Sequence, residues 1–78
     1  MKIMEHELID HNDNGKVVAR VWMSETGKVK CDNPDIMKFL ETADIDGHTV
    51  QHGYQFMEKF PKLFRGSYIT ARKVKNGN

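Results

Sequence analysis

Disulfides, membrane-spanning runs and a strong charge of one sign are all missing from this sequence, and each absence removes a class of protein. Cys31 is the only cysteine, so no internal disulfide forms and a small secreted disulfide scaffold is excluded. No apolar run approaches the roughly 20 residues that cross a bilayer as a helix. No helix-length stretch pairs a broad apolar face with a Lys/Arg-rich one, so no membrane partner is expected. The opening residues Met1, Lys2, Ile3, Met4 and Glu5 do not read as a basic-then-apolar leader, and the expected location is the cytoplasm. A net charge of +1 calls by itself for neither nucleic acid nor an acidic partner.

What is present suffices for one domain. Seventy-eight residues exclude a second globular unit and leave material for a single modest core. Hydrophobic residues make up 38% of the chain and charged residues 29%, which is ordinary globular usage. A core this size leaves roughly 3 to 5 kcal/mol of net stability, so self-association or a ligand would add a material part. We read residues 1–75 as one domain and 76–78 as a frayed tail.

Local patterns assign the elements. Ile3 to Ile9 alternates as a first strand and ends in Asp10, His11, Asn12, Asp13, Asn14 and Gly15, a cluster of turn formers. Lys16 to Met23 is the clearest strand. Val17, Ala19, Val21 and Met23 are assigned to the core, with Val18, Arg20, Trp22 and Ser24 opposite. Glu25, Thr26 and Gly27 turn the chain into a third strand, with Val29 and Cys31 inward. Asp32, Asn33, Pro34 and Asp35 open a helix: a capping side chain, Pro where a missing N–H costs nothing, and an acid near the positive end. Ile36, Phe39, Leu40 and Ala43 form its buried stripe, with Met37 at the border. Thr49 is expected to cap a second helix carrying Val50, Gly53, Tyr54, Met57 and Phe60 on one side, widened by Phe56. Gly53 costs such a helix about 1 kcal/mol relative to Ala, which argues for close approach to another element. Pro61 breaks the pattern, an irregular turn follows over Lys62 to Arg65, and Phe64 tucks under the core edge. Ser67 to Val74 is strand-like, with Ile69 and Ala71 facing one way and Tyr68, Thr70 and Arg72 the other. The expectation is an α+β fold of β-β-β-α-α-β order, its antiparallel sheet carrying both helices on one face.

Motifs for chemistry are sparse. Asp10, Asn12, Asn14 and Gly15 open a calcium-loop pattern, but Val21 stands where the bidentate acid belongs, so the segment reads as a turn. His6, His11, His48, His52 and Cys31 are metal-ligating types. His48 and His52 have i, i+4 spacing, yet Thr49 as a cap leaves His48 outside the helix, and no second close pair exists. No metal or other cofactor is expected. Ser24 or Ser67 with a histidine and Asp44 or Asp46 would make an arbitrary triad, because no elbow frames either serine. Neither Glu5 with Glu7 nor Asp44 with Asp46 offers the burial that splits a carboxylate pair.

Charge is segregated. Asp32, Asp35, Glu41, Asp44 and Asp46 face only Lys38, whereas Lys59, Lys62, Arg65, Arg72, Lys73 and Lys75 face only Glu58. Two solvated surfaces would explain this; so would a basic partner-binding face. Arg20, Trp22, Tyr68 and Arg72 would lie on the open face of the sheet, and Tyr, Trp and Arg are enriched at interface centres. The leading reading is a non-enzymatic interaction or adaptor domain that pairs with itself or another protein. A nucleic-acid binder using Arg65, Tyr68, Arg72 and Lys73 is the alternative, disfavoured by the small net charge, and a small hydrolase or toxin-like enzyme is a residual one.

The segment from Gly53 to Ala71, with Phe56, Pro61, Phe64, Gly66, Ser67 and Tyr68 in place, resembles the ending of a group of short prokaryotic proteins of unknown function. The preceding Gly15 to Arg20 is similar in style to their central strand. The resemblance implies a shared fold and a prokaryotic or phage origin, and it implies no activity.

Overall fold

The computed structural model describes residues 3–74; the tail expected at 76–78 lies outside the described residues. Strands β1 (Ile3–Asp10), β2 (Lys16–Ser24), β3 (Val29–Cys31) and β4 (Ile69–Lys73) form one antiparallel sheet in the order β3-β2-β1-β4. Helices α1 (Pro34–Glu41) and α2 (Tyr54–Lys59) lie between β3 and β4 in the chain, with a 3₁₀ turn at Val50–His52 ahead of α2 and another at Phe60–Phe64 after it. This is the α+β architecture read from the sequence, with β4 returning to pair with the first strand rather than extending the β2–β3 edge.

The turns form for local reasons. The Asp10 carboxylate accepts the Asn12 backbone N–H at 2.9 Å, and Asn14 and Gly15 both take positive φ, reversing the chain between β1 and β2. Asn33 caps α1: its Oδ1 accepts from the backbone N–H groups of Asp35 at 3.0 Å and Ile36 at 3.3 Å. Leu8, Ala19, Val21 and Met23 from the sheet meet Leu40, Ile45, Phe56, Met57, Phe60 and Phe64 in one core.

Three expectations are corrected. A β-bulge between Leu8 and Ile9 pairs Ile9 with Val17 while Leu8 keeps Ala19, so Val18 is the extra residue. Side chains alternate along a strand, and the bulge therefore turns Val17 away from the core and lets Val18 pack against it. The second helix does not run through Gly53. That residue has φ +60° and ψ −113°, which ends the Val50–His52 turn and starts α2 afresh at Tyr54. The break resets the helical phase: Tyr54 is exposed and Phe56 becomes central core. Phe39 on α1 is 44% exposed, resting its ring 6.2 Å from that of Phe64 instead of entering the core.

Gly53 does make the close approach expected of it. A Cβ there would meet the Glu25 carbonyl oxygen at 2.1 Å, and one on Gly27 would meet the carbonyl oxygens of Gln51 and Val50 at 3.0 and 3.1 Å. The β2–β3 turn is thus seated backbone to backbone against the approach to α2, a contact that only glycine permits.

Candidate functional site

The helices cover the sheet face that carries His6, Leu8, Ala19, Val21 and Met23, so register alone decides which side chains share the other face. Arg20 and Arg72 both pair with Glu7, Trp22 with Glu5 and Lys30, and Val17 and Thr70 with Ile9. The Asp32 backbone N–H donates to the Arg20 carbonyl at 3.3 Å, and the Asp32 carboxylate accepts the Arg20 backbone N–H at 2.8 Å. One row across the sheet therefore reads Asp32, Arg20, Glu7, Arg72. The next reads Lys30, Trp22, Glu5. A third, Val17, Ile9, Thr70, is mainly apolar, and Ile9 is buried there although it lies outside the core cluster.

Glu7 organises the charged row. Its carboxylate accepts from Arg72 Nη2 at 2.5 Å and stands 3.7 Å from Arg20 Nη2. The Glu7 side chain is only 15% exposed, whereas those of Arg20 and Arg72 are 53% and 64% exposed. The arginines thus cover the acid and keep outward donors of their own. At the other end Ile3, Trp22 and Lys30 line a shallow groove of about 300 Å³. Ile3 itself is 52% exposed.

Arg20, Trp22 and Arg72 come together as the sequence suggested, and Tyr68 does not join them. Tyr68 precedes β4, and its carbonyl accepts the His11 backbone N–H at 2.9 Å. Trp22 is opposite Glu5, which lies six residues before His11 along the chain, or about 20 Å at about 3.3 Å per residue. The alternative set of Arg65, Tyr68, Arg72 and Lys73 is dispersed. Lys73 pairs with His6 on the helix-covered side, Arg72 is on the opposite face, and Arg65 lines a groove with Asp44 and Asp46. Glu7 was missed by sequence reasoning. Its signal was its position in an alternating strand next to one that carries arginine on the same face, but the partner is visible only once register is known.

The four histidines fall in three separate environments. His11 Nε2 lies 2.8 Å from Thr70 Oγ1. His48 and His52 stack edge to face at 5.3 Å. His52 Nδ1 accepts the Thr49 backbone N–H at 2.9 Å, so the proton of the neutral ring is on Nε2 and neither nitrogen offers a free lone pair. That arrangement caps a turn. Among the described residues no group of three or more His, Cys, Asp or Glu is placed to hold a metal ion. His6 is 2% exposed, its ring 4.9 Å from that of Phe60 and its Nδ1 without a hydrogen-bond partner among the described residues. Burial, helped by the charge of Lys73, lowers its pKa. Burial also pushes the Cys31 thiol up, which keeps it in its unreactive form. No described helix is long and apolar enough to cross a membrane.

Comparison with known proteins returned no match: no family model, no curated protein and no solved structure matches the chain.

Proposed function

We propose that this chain is a non-catalytic interaction domain that binds a second copy of itself through the helix-free face of its sheet. The observation that carries the reading is the composition of that face. Trp22 and Ile3 flank a groove at one end, Val17 and Ile9 form an apolar row at the other, and between them acids and bases alternate. A surface with both signs and apolar ends complements itself, as an isologous interface must. Glu7 engages both arginines, which favours protein over nucleic acid, since a phosphate would have to compete with a carboxylate already in place. We place the domain in the cytoplasm, where the protonated thiol of Cys31 stays reduced.

Light scattering of the purified protein at low and moderate salt tests the proposal. The expected result is a dimer that dissociates on dilution, and Trp22→Ala shifts it to monomer at concentrations where the wild type is paired. Trp is the residue type whose truncation costs most at interface centres, about 2 kcal/mol or more. A wild type that stays monomeric at every accessible concentration overturns the reading. An oligonucleotide titration at low salt would then be the next measurement.

A further inference from the structure

Resting on that reading of the sheet face, we propose that the two copies are related by a two-fold axis that lies in the interface, parallel to the strands and between β1 and β2. Such an axis exchanges β1 with β2 and β4 with β3 while keeping each row across the sheet at its own height. The row Asp32, Arg20, Glu7, Arg72 is then laid over its own reverse: Arg20 over the second copy's Glu7, and Arg72 over its Asp32. Every charge in the row meets its opposite. In the apolar row, Val17 lies over Ile9 of the second copy, and Trp22 lies over Glu5, where the indole N–H has a carboxylate to donate to.

The competing arrangement places the axis in the same plane but across the strands. If it runs along the charged row, Arg20 sits on Arg20, Glu7 on Glu7 and Arg72 on Arg72. If it runs between the charged row and the tryptophan row, Glu5 sits on Glu7. Like charges brought together in an interface are strongly unfavourable, so the alternation Asp, Arg, Glu, Arg selects the axis parallel to the strands. The exposed guanidinium donors of Arg20 and Arg72 are the groups that reach across. The strands project about 400 Å² at about 3.3 Å per residue and about 4.8 Å between strands. This is about half of what each partner gives a standard interface before side-chain relief is added, so the dimer is reversible.

Charge reversal with mixed chains tests the axis. Arg20→Glu and Glu7→Arg are prepared separately, checked for folding by circular dichroism, and analysed by native mass spectrometry alone and mixed. Each alone sets like charges together at two symmetry-related places, and its dimer dissociation constant rises at least about tenfold. Mixed, the introduced arginine at position 7 meets the introduced glutamate at position 20, the native Arg20 and Glu7 meet at the other place, and the heterodimer returns to near wild-type affinity. If Arg20→Glu pairs with wild-type chains more tightly than wild-type chains pair with one another, position 20 faces position 20, the axis runs across the strands and the proposal is overturned, while self-association itself stands. A monomeric wild type overturns both. Should either variant fail to fold, oxidative cross-linking in a Cys31→Ser background decides the matter. Chains carrying Val17→Cys and chains carrying Ile9→Cys form the mixed disulfide faster than either homodisulfide if the axis is as proposed, and a mixed disulfide that forms no faster than the homodisulfides overturns it.

Discussion

His6 is the residue at which the fold is most sensitive to acidity. It sits at 2% exposure with Phe60 against its ring, Val21 and Lys73 beside it in the neighbouring strands, and an Nδ1 with no hydrogen-bond partner among the described residues. Its pKa is lowered in the fold by burial and by Lys73, so the folded chain holds it neutral, while the unfolded chain takes up the proton near pH 6.5. The stabilisation from neutral His6 is therefore complete above about pH 6.5 and is lost as pH falls below it, at up to about 1.4 kcal/mol per pH unit for one proton. Urea denaturation at pH 8 and at pH 5.5 should show the wild type losing stability and His6→Leu losing distinctly less. Equal losses in the two proteins would remove His6 from this role. Little of this was legible beforehand, because a histidine in a weakly alternating strand is as well placed on either face. Glu7 illustrates the same limit for the candidate site: Arg20, Trp22 and Arg72 were assigned to one face by alternation, but the carboxylate that ties both arginines depends on β4 pairing with β1.

At the scale of elements, Gly53 joins two of them. Its φ of +60° with ψ of −113° is a glycine conformation, and its missing Cβ is the space occupied by the Glu25 carbonyl. Gly53→Ala pays for both faults, with about 3 kcal/mol from the backbone alone set against a net stability of about 3 to 5 kcal/mol. The variant should be largely unfolded by circular dichroism. Gly66 also has positive φ, +79°, but open space around its Cβ position, and Gly66→Ala should cost only about 1 to 2 kcal/mol. A folded Gly53→Ala, or equal costs at the two positions, would contradict the docking of the turn. The elements themselves were largely legible: alternation located β2, Asn33 and Pro34 marked the start of α1, and Pro61 marked the irregular turn that carries Phe64 into the core. Where the reading failed, a single residue shifted the phase. The bulge at Val18 exchanged the roles of Val17 and Val18, and the break at Gly53 exchanged those of Tyr54 and Phe56. Periodicity assumes an uninterrupted strand or helix, and both interruptions come from tertiary pairing.

For the whole molecule, the order of the sheet has a consequence for how the chain closes. The strands β1, β2 and β3 are neighbours in sequence and join by short turns, whereas β4 reaches its partner across everything in between, as the pairing of His6 with Lys73 records. Local hairpins close quickly, and distant strands bear the loop-closure cost, so docking of β4 is the late event in assembly and the first to be undone. Hydrogen exchange should release the amides that β4 gives to β1 before those exchanged between β1 and β2; simultaneous release would mean that the sheet opens as one unit. In the partly open chain β1 presents a bare edge, and an unpaired edge is a template for another chain. Glu7 would then stand on that edge strand with Arg72 withdrawn and Arg20 beside it, a charge on the edge of the kind that discourages strand addition. The same carboxylate that orders the face of the folded domain would act, during folding, as a guard against aggregation.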